Sequence, residues 1–342
     1  MHDLAVPAIL NKPTNPQEPP ANDNVQLLKP PLSPPYVIVE RSPHHFRNYL
    51  FLFFLKKKKM SIFLDFDGTI TAKDTVGELA NFALRVRAAE GEDMKKEWDD
   101  VVAAYIDDHS AHVHGYRPPP ADRCLPDQEI EYLRRMKHVE TRSLGRINDC
   151  RLFRGISPAA FREAGRDLVA DGTIRLRPGF QRFVRDRVKQ GWRVWVLSVN
   201  WSAAFIAGAC GELPGVEVIA NEVRDDGAVA GPAVLNPSGT TSKEPRNLTN
   251  SRDKLDAMEA VLSACGLVGK PSVYFGDSTT DLECLLAVDR GFVVSDREDS
   301  SLLQTLRRIG EDVPHIRDQS ATGKLAWTSN YEDIPNNKFA LG

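Results

Sequence analysis

Asp65 and Asp67, two carboxylates one residue apart, are the residues of this 342-residue chain best placed to do chemistry. They close a short apolar run and are followed by a glycine and a hydroxyl residue, giving SIFLDFDGT over 61–69. An uninterrupted apolar run of this length reads as a buried strand of a parallel sheet. Ligands of such sheets sit beyond the carboxyl ends of the strands. Side chains alternate along a strand, so positions i and i+2 converge on one spot as the strand ends. Gly68 allows a sharp turn and a close approach of the backbone to a ligand. Two carboxylates that close repel each other unless something positive lies between them. A divalent cation held by oxygen meets that need, and Mg²⁺ is the usual one beside phosphate. The competing reading is an acidic turn on a surface, and the apolar strand in front with Gly-Thr behind argues against it.

A second signal lies at 272–281, SVYFGDSTTD, where another apolar run enters a turn carrying Asp277 and Asp281. Between the two, RVWVLS at 193–198 reads as a buried strand ending in a hydroxyl, with Val199, Asn200 and Trp201 behind it. A helix predicted from about residue 202 would turn its first N–H groups toward an anion. Asp253 and Lys254 open a further predicted helix ending near Gly266, and Lys243 lies in the polar loop before it. A strand ending in Ser, or a single Lys, is commonplace alone. The order of the four stretches is what gives them weight.

That order resembles the haloacid dehalogenase superfamily, in its phosphatase branch. The resemblance implies that Asp65 is a nucleophile forming an aspartyl-phosphate, and that Asp67 protonates the leaving group and then activates water. Ser198, with Val199 and Asn200, would bind the phosphoryl group, and Lys254, or else Lys243, would neutralise it. Asp65, Asp67 and Asp277 would hold Mg²⁺, with Asp281 behind them holding Lys254 or a metal-bound water. Dehalogenation is disfavoured, because dehalogenases of the superfamily lack the second Asp. Within the superfamily the chain looks like the phosphoserine-phosphatase-like branch. SVNW (198–201) together with GDSTTDLECLL (276–286) is similar to the phosphatase domain of plant thiamin monophosphate phosphatases and fungal relatives. Trp201 there either stacks on a substrate ring or packs the core.

These residues need a scaffold of strands alternating with helices, and the predicted fold is a doubly wound α/β core with an inserted helical cap. The predicted core is 60–74 with 175–320, the cap 75–174, and the tail 321–342. Within the cap, Thr75 and Glu78 have capping-box spacing before a helix over 76–89. Trp98, Val101, Val102 and Tyr105 mark a second helix over 93–106. Residues 117–126 form a proline-rich loop, 127–147 a third helix, and Ser157-Pro158 start a fourth reaching 170. His109, His112 and His114 follow the second helix. They read as solvent-facing, with a metal site as the alternative.

Residues 1–59 read as an extension ahead of the folded part, which would begin at Met60. The first 46 are rich in Pro, Asn and Gln without apolar periodicity, the pattern of a disordered segment. The apolar run at 48–55 is shorter than the ~20 residues that span a bilayer. Lys56 to Lys59 behind it could be a nuclear address or a membrane-surface tether. A net charge of −3 gives no reason to expect a nucleic-acid partner. Five dispersed cysteines without a C-x-x-C pair fit reduced thiols and a cytoplasmic location. The expected ligand is a small phosphorylated metabolite, with neither nucleic acid nor membrane as partner, and the oligomeric state is left open. A catalytically silent relative that binds a partner through its cap is the alternative, and three carboxylates at strand ends speak against it.

Overall fold

The structure, a computed structural model, describes residues 60–211, 213–238, 245–318 and 323–334. The basic run at Lys56 to Lys59, the apolar run before it, and Lys243 lie outside the described residues. From the first strand the chain runs β1 (Ser61–Leu64), α1 (Val76–Ala89), α2 (Lys95–Gly115), α3 (Pro126–Cys150), α4 (Pro158–Ala170), α5 (Phe180–Lys189), β2 (Arg193–Leu197) and α6 (Ala203–Cys210). It continues with β3 (Val216–Ile219), the hairpin strands β4 (Glu222–Val223) and β5 (Val229–Ala230), α7 (Ser251–Ala264), β6 (Ser272–Gly276), α8 (Leu282–Ala287), β7 (Arg290–Val294), α9 (Ser301–Arg308) and β8 (Leu325–Thr328).

Six strands pair side by side in the order β3-β2-β1-β6-β7-β8, every pair parallel. The sheet is buried on both faces. On β1, β2 and β6, Ile62, Leu64, Val194, Val196, Val273 and Phe275 enter one apolar cluster with α1, α4, α5 and α6. The alternate residues Phe63, Trp195, Leu197 and Tyr274 enter a second cluster with α7, α8 and α9. This two-sided burial is why the strands read as unbroken apolar runs. β1 lies at the centre, and the chain leaves it toward β2 on one side and returns as β6 on the other. Such a point, where the winding reverses, opens a crevice at the carboxyl ends of the strands.

The helices between β1 and β2 are tied down at α4, which packs backbone to backbone on α6. A Cβ at Gly165 would collide with the carbonyl oxygen of Phe205, and one at Gly208 with that of Arg162. α4 starts as its sequence predicts, with Ser157 Oγ accepting from Ala160 N (3.2 Å) ahead of Pro158. α2 runs nine residues beyond its predicted end, because nothing breaks it before Pro118. His112 therefore sits inside the helix, packed on Tyr132, His138 and Tyr116 at 5.2–5.6 Å, rather than facing solvent. The tail supplies the edge strand β8 and then Tyr331, which is buried against Phe180, Phe183 and Phe275. Among the described residues, no helix is long and apolar enough to cross a membrane.

Candidate active site

Asp65 is the first residue past β1, and its N–H continues the strand ladder onto Phe275 O (2.9 Å). On one side β2 ends just before Ser198, and on the other β6 ends just before Asp277. The three side chains line one cavity of about 1080 Å³. Lys254, fully buried on the first turn of α7, reaches the same point from below. Its Nζ donates to Asp65 Oδ1 and Asp281 Oδ1, both at 2.7 Å. Asn250 caps that helix by accepting from Asp253 N (3.0 Å), which fixes where Lys254 emerges.

Asp281 spends both oxygens inside the protein. Oδ1 takes Lys254 and the Tyr274 hydroxyl (2.7 Å), and Oδ2 takes the N–H groups of Asp277 and Ser278 (3.1 and 3.2 Å). Asp277 accepts from Thr69 Oγ1 (3.0 Å) and lies directly on Gly68, where a Cβ would overlap its carboxylate. Gly68 has φ +73°, a conformation that glycine adopts without strain. Its carbonyl accepts from Arg177 Nε (3.0 Å), which pins the turn from outside.

Asp67 lines the same cavity but takes its bonds from other partners. Its Oδ1 accepts from the N–H and hydroxyl of Thr75 (2.7 and 2.6 Å), and its Oδ2 accepts from Asn200 Nδ2 (2.9 Å). Side-chain oxygens of Asp65, Asp277 and Asp281 lie within 4.8 Å of one another, while the Asp67 side chain is held apart from them by Thr75 and Asn200. The Thr75 hydroxyl donates to Asp67, a charge-assisted bond, and makes no side-chain cap bond at the start of α1, where Thr75 has φ −118° and ψ 1°. The Asn200 side chain donates to Asp67 and Thr75, while its N–H donates to Ser198 Oγ (3.1 Å). Ser198, Val199 and Trp201 do line the cavity. Trp201 is half-buried and packs edge-on to Trp98 and Phe153 at 6.1 and 6.0 Å, so it serves the core and the cavity wall together.

The electrostatics follow from burial. Taking Asp65 out of water, with Asp281 beside it, raises its carboxyl to about 7 despite Lys254. Asp277 is pushed well above the usual range by burial, then by Asp65 and Asp281. Burial works against the Lys254 charge, but Asp281 and Asp65 outweigh it and hold the ammonium well above its ordinary value. Asp67 rises to about 7 through burial and then Asp74, against the bonds from Thr75 and Asn200. At the strand ends four carboxylates (Asp65, Asp67, Asp277, Asp281) meet one ammonium, and among the described residues Asp65 and Asp277 each keep an oxygen that accepts no hydrogen bond. A hard, oxygen-seeking dication fits that donor set, with Asp65 and Asp277 as the residues to hold it.

Sequence reading missed Thr69 and Arg177, whose partners lie 208 and 109 residues away, and Thr75 and Tyr274, whose partners lie eight and seven residues away. Thr69 and Thr75 sit beside the first Asp pair, and hydroxyls so close to two carboxylates could have drawn attention. Much of the rest of the cavity comes from α2, α3, α9 and the segment before α7, including Tyr105, His109, Tyr132, Glu140 and Arg308.

Among known proteins, the chain is 24% identical to the mitochondrial bifunctional TH2 protein of Arabidopsis thaliana over a 275-position alignment that covers 74% of this chain. The match spans only 41% of that relative's length. Solved structures with a related fold include a phosphoserine phosphatase holding a phospho-aspartyl intermediate analogue, at 16% identity and TM-score 0.42, covering 75% of this chain and 93% of that one. Cytosolic 5'-nucleotidase IIIB bound to cytidine is another, at 14% identity and TM-score 0.46, covering 83% and 85%. A protein of unknown function from Bordetella pertussis Tohama I matches at 19% identity and TM-score 0.46, covering 75% and 97%. The family description "haloacid dehalogenase-like hydrolase" matches residues 62–286, more than half of the chain and every strand-end residue described above, so the chain belongs to that family.

Proposed function

We propose that the protein is a Mg²⁺-dependent phosphomonoesterase acting on a small phosphorylated metabolite through an aspartyl-phosphate. The observation that carries this reading is Lys254 Nζ held at 2.7 Å from both Asp65 and Asp281, under a cavity that Ser198 and Asp277 share. Lys254 leaves Asp65 Oδ2 without a bond from it, as a nucleophile requires. Attack on phosphorus by that oxygen divides one difficult displacement into two easier ones. Bound between Asp65 and Asp277, the cation would offset negative charge on the phosphoryl oxygens. Ser198 and Lys254 present donors to the same oxygens, and fixed donors of this kind supply most of the rate in phosphoryl transfer.

Asp67 is the acid and base. A carboxyl near 7 can lose a proton to a leaving oxygen and regain one from water at neutral pH. The bonds from Thr75 and Asn200 aim it, leaving the outer lone pairs for the reacting proton. Residues 75–174 act as the cap: their α2 and α3 side chains line the cavity that holds Asp65, and a cover there limits the leaving group to metabolite size. Thiamin monophosphate and sugar or polyol phosphates are the substrates to try first. The test is turnover of p-nitrophenyl phosphate with and without Mg²⁺, then a phosphomonoester panel. Metal-stimulated turnover that D65N abolishes is the expected result, and a chain inert toward every monoester with Mg²⁺ present would overturn the reading.

A further inference from the structure

α3 turns one stripe of side chains into the cavity: Leu133, Met136, Glu140, Ser143, Leu144 and Ile147. The spacing is that of an apolar seam, and Glu140 occupies its middle, where the pattern calls for Leu or Val. Glu140 is half-buried, and a carboxylate drawn even partly out of water costs free energy unless it is paired. Its neighbours on α3 are paired: Glu129 lies 2.7 Å from Arg123 and 2.6 Å from Arg308, and Glu131 lies 2.7 Å from Arg135. Glu140 instead accepts one hydrogen bond, from the buried Tyr105 hydroxyl of α2 (3.1 Å). Among the described residues no cation pairs with it, and burial pushes its carboxyl up to about 7. His109, whose ring lies 5.8 Å from that of Tyr105, is held down by burial and brings no charge at neutral pH. Local rules are broken where function needs it, and a lone acid facing an open cavity is such a break.

We infer that Glu140, oriented by Tyr105, is the counter-charge for a positively charged group on the alcohol portion of the substrate, making the protein selective for phosphomonoesters of organic cations. This rests on the phosphatase reading. The cavity has the reacting groups Asp65 and Ser198 on the sheet side and Glu140 on the helical side, so a substrate whose phosphate meets Asp65 extends its other end toward α3. Trp201 and Tyr105 supply aromatic surface along the way, which suits a cation as well as a neutral ring. Tyr105 fixes the carboxylate, so less freedom is lost when the cation arrives.

The experiment compares kcat/KM within matched pairs of equal shape, using the full chain with Mg²⁺. One pair is phosphocholine and its neutral isostere 3,3-dimethylbutyl phosphate. The other is (N-methylpyridinium-4-yl)methyl phosphate and 4-methylbenzyl phosphate. A charge-assisted contact predicts a preference for the cation of about 10-fold to 100-fold in at least one pair. E140Q is expected to bring that ratio to within about twofold of one, chiefly through KM, because the contact is the same before and during reaction. E140L restores the apolar seam, so it should melt no lower than the parent while losing the preference in the same way. A wild-type ratio near one in both pairs, no turnover of any of the four, or a ratio that survives in E140Q and E140L overturns the inference. Hydrolysis of p-nitrophenyl phosphate in the same samples separates that result from failure of the phosphatase reading, which would take the inference with it.

Discussion

Replacing Lys254 with Met keeps most of the volume and removes the ammonium on which Asp65 and Asp281 both depend. The group is fully buried, and its bonds to both carboxylates are 2.7 Å. Removing one partner of a buried ion pair costs about 3–5 kcal/mol, because the remaining charge is left without compensation. The loss has a pH signature whose sign follows from Asp65. Its folded value, about 7, lies above the ordinary 3.8, so the folded state holds the proton more tightly than the unfolded one. Stability from such a group is complete below the unfolded value and drains away as pH rises through the folded one. Without Lys254 the folded value moves higher still, and the carboxyl stays protonated further into the neutral range. K254M should therefore lose about 3–5 kcal/mol at pH 8 and distinctly less at pH 5.5, where protonation replaces the missing charge. Urea unfolding in EDTA at the two pH values measures both. Equal losses at the two values, or a variant as stable as the parent at pH 8, would refute the reasoning.

Other outcomes follow from the same contacts. D67N should lower kcat by about 10²-fold to 10⁴-fold, the usual share of a proton-transferring group, with a larger loss on alkyl phosphates than on p-nitrophenyl phosphate, whose leaving group needs no proton. G68A places a methyl group in the Asp277 carboxylate and a side chain at φ +73°, so it should cost at least about 1–2 kcal/mol in thermal unfolding and weaken Mg²⁺ binding in a titration. Mg²⁺ should raise the melting temperature more at pH 8 than at pH 5.5, since Asp65 must give up a proton near 7 to hold it, and a calorimetric scan at both values checks this.

How much of this was legible beforehand depended on the range of each interaction. α1 lies where its spacing predicts it and α4 where its spacing and cap do, and the strands leading to Asp65, Ser198 and Asp277 are likewise in place, because a doubly buried strand writes its whole length in apolar residues. Lys254 was readable only as the one Lys at a helix start in the right order, and its two carboxylates lie 189 and 27 residues away. Thr75 misled, since a hydroxyl three residues before a Glu reads as a cap, and nothing local says that Asp67 is nearer. Asn200 was drawn to the phosphate by its neighbours in sequence, whereas the fold gives its amide to Asp67. Glu140 stood in plain view inside an apolar stripe, but only the cavity shows that the stripe faces Asp65 rather than another helix.

The central claim, a phosphoryl group carried by Asp65, is tested most directly by acid-quenching D67N during turnover of a labelled phosphomonoester and mapping the label by peptide mass. D67N slows the return of water, so the covalent species should accumulate on the peptide carrying Asp65 and be missing from the D65N/D67N double variant. Label on any other residue, or phosphate released from D65N at the rate of the parent, would contradict the account.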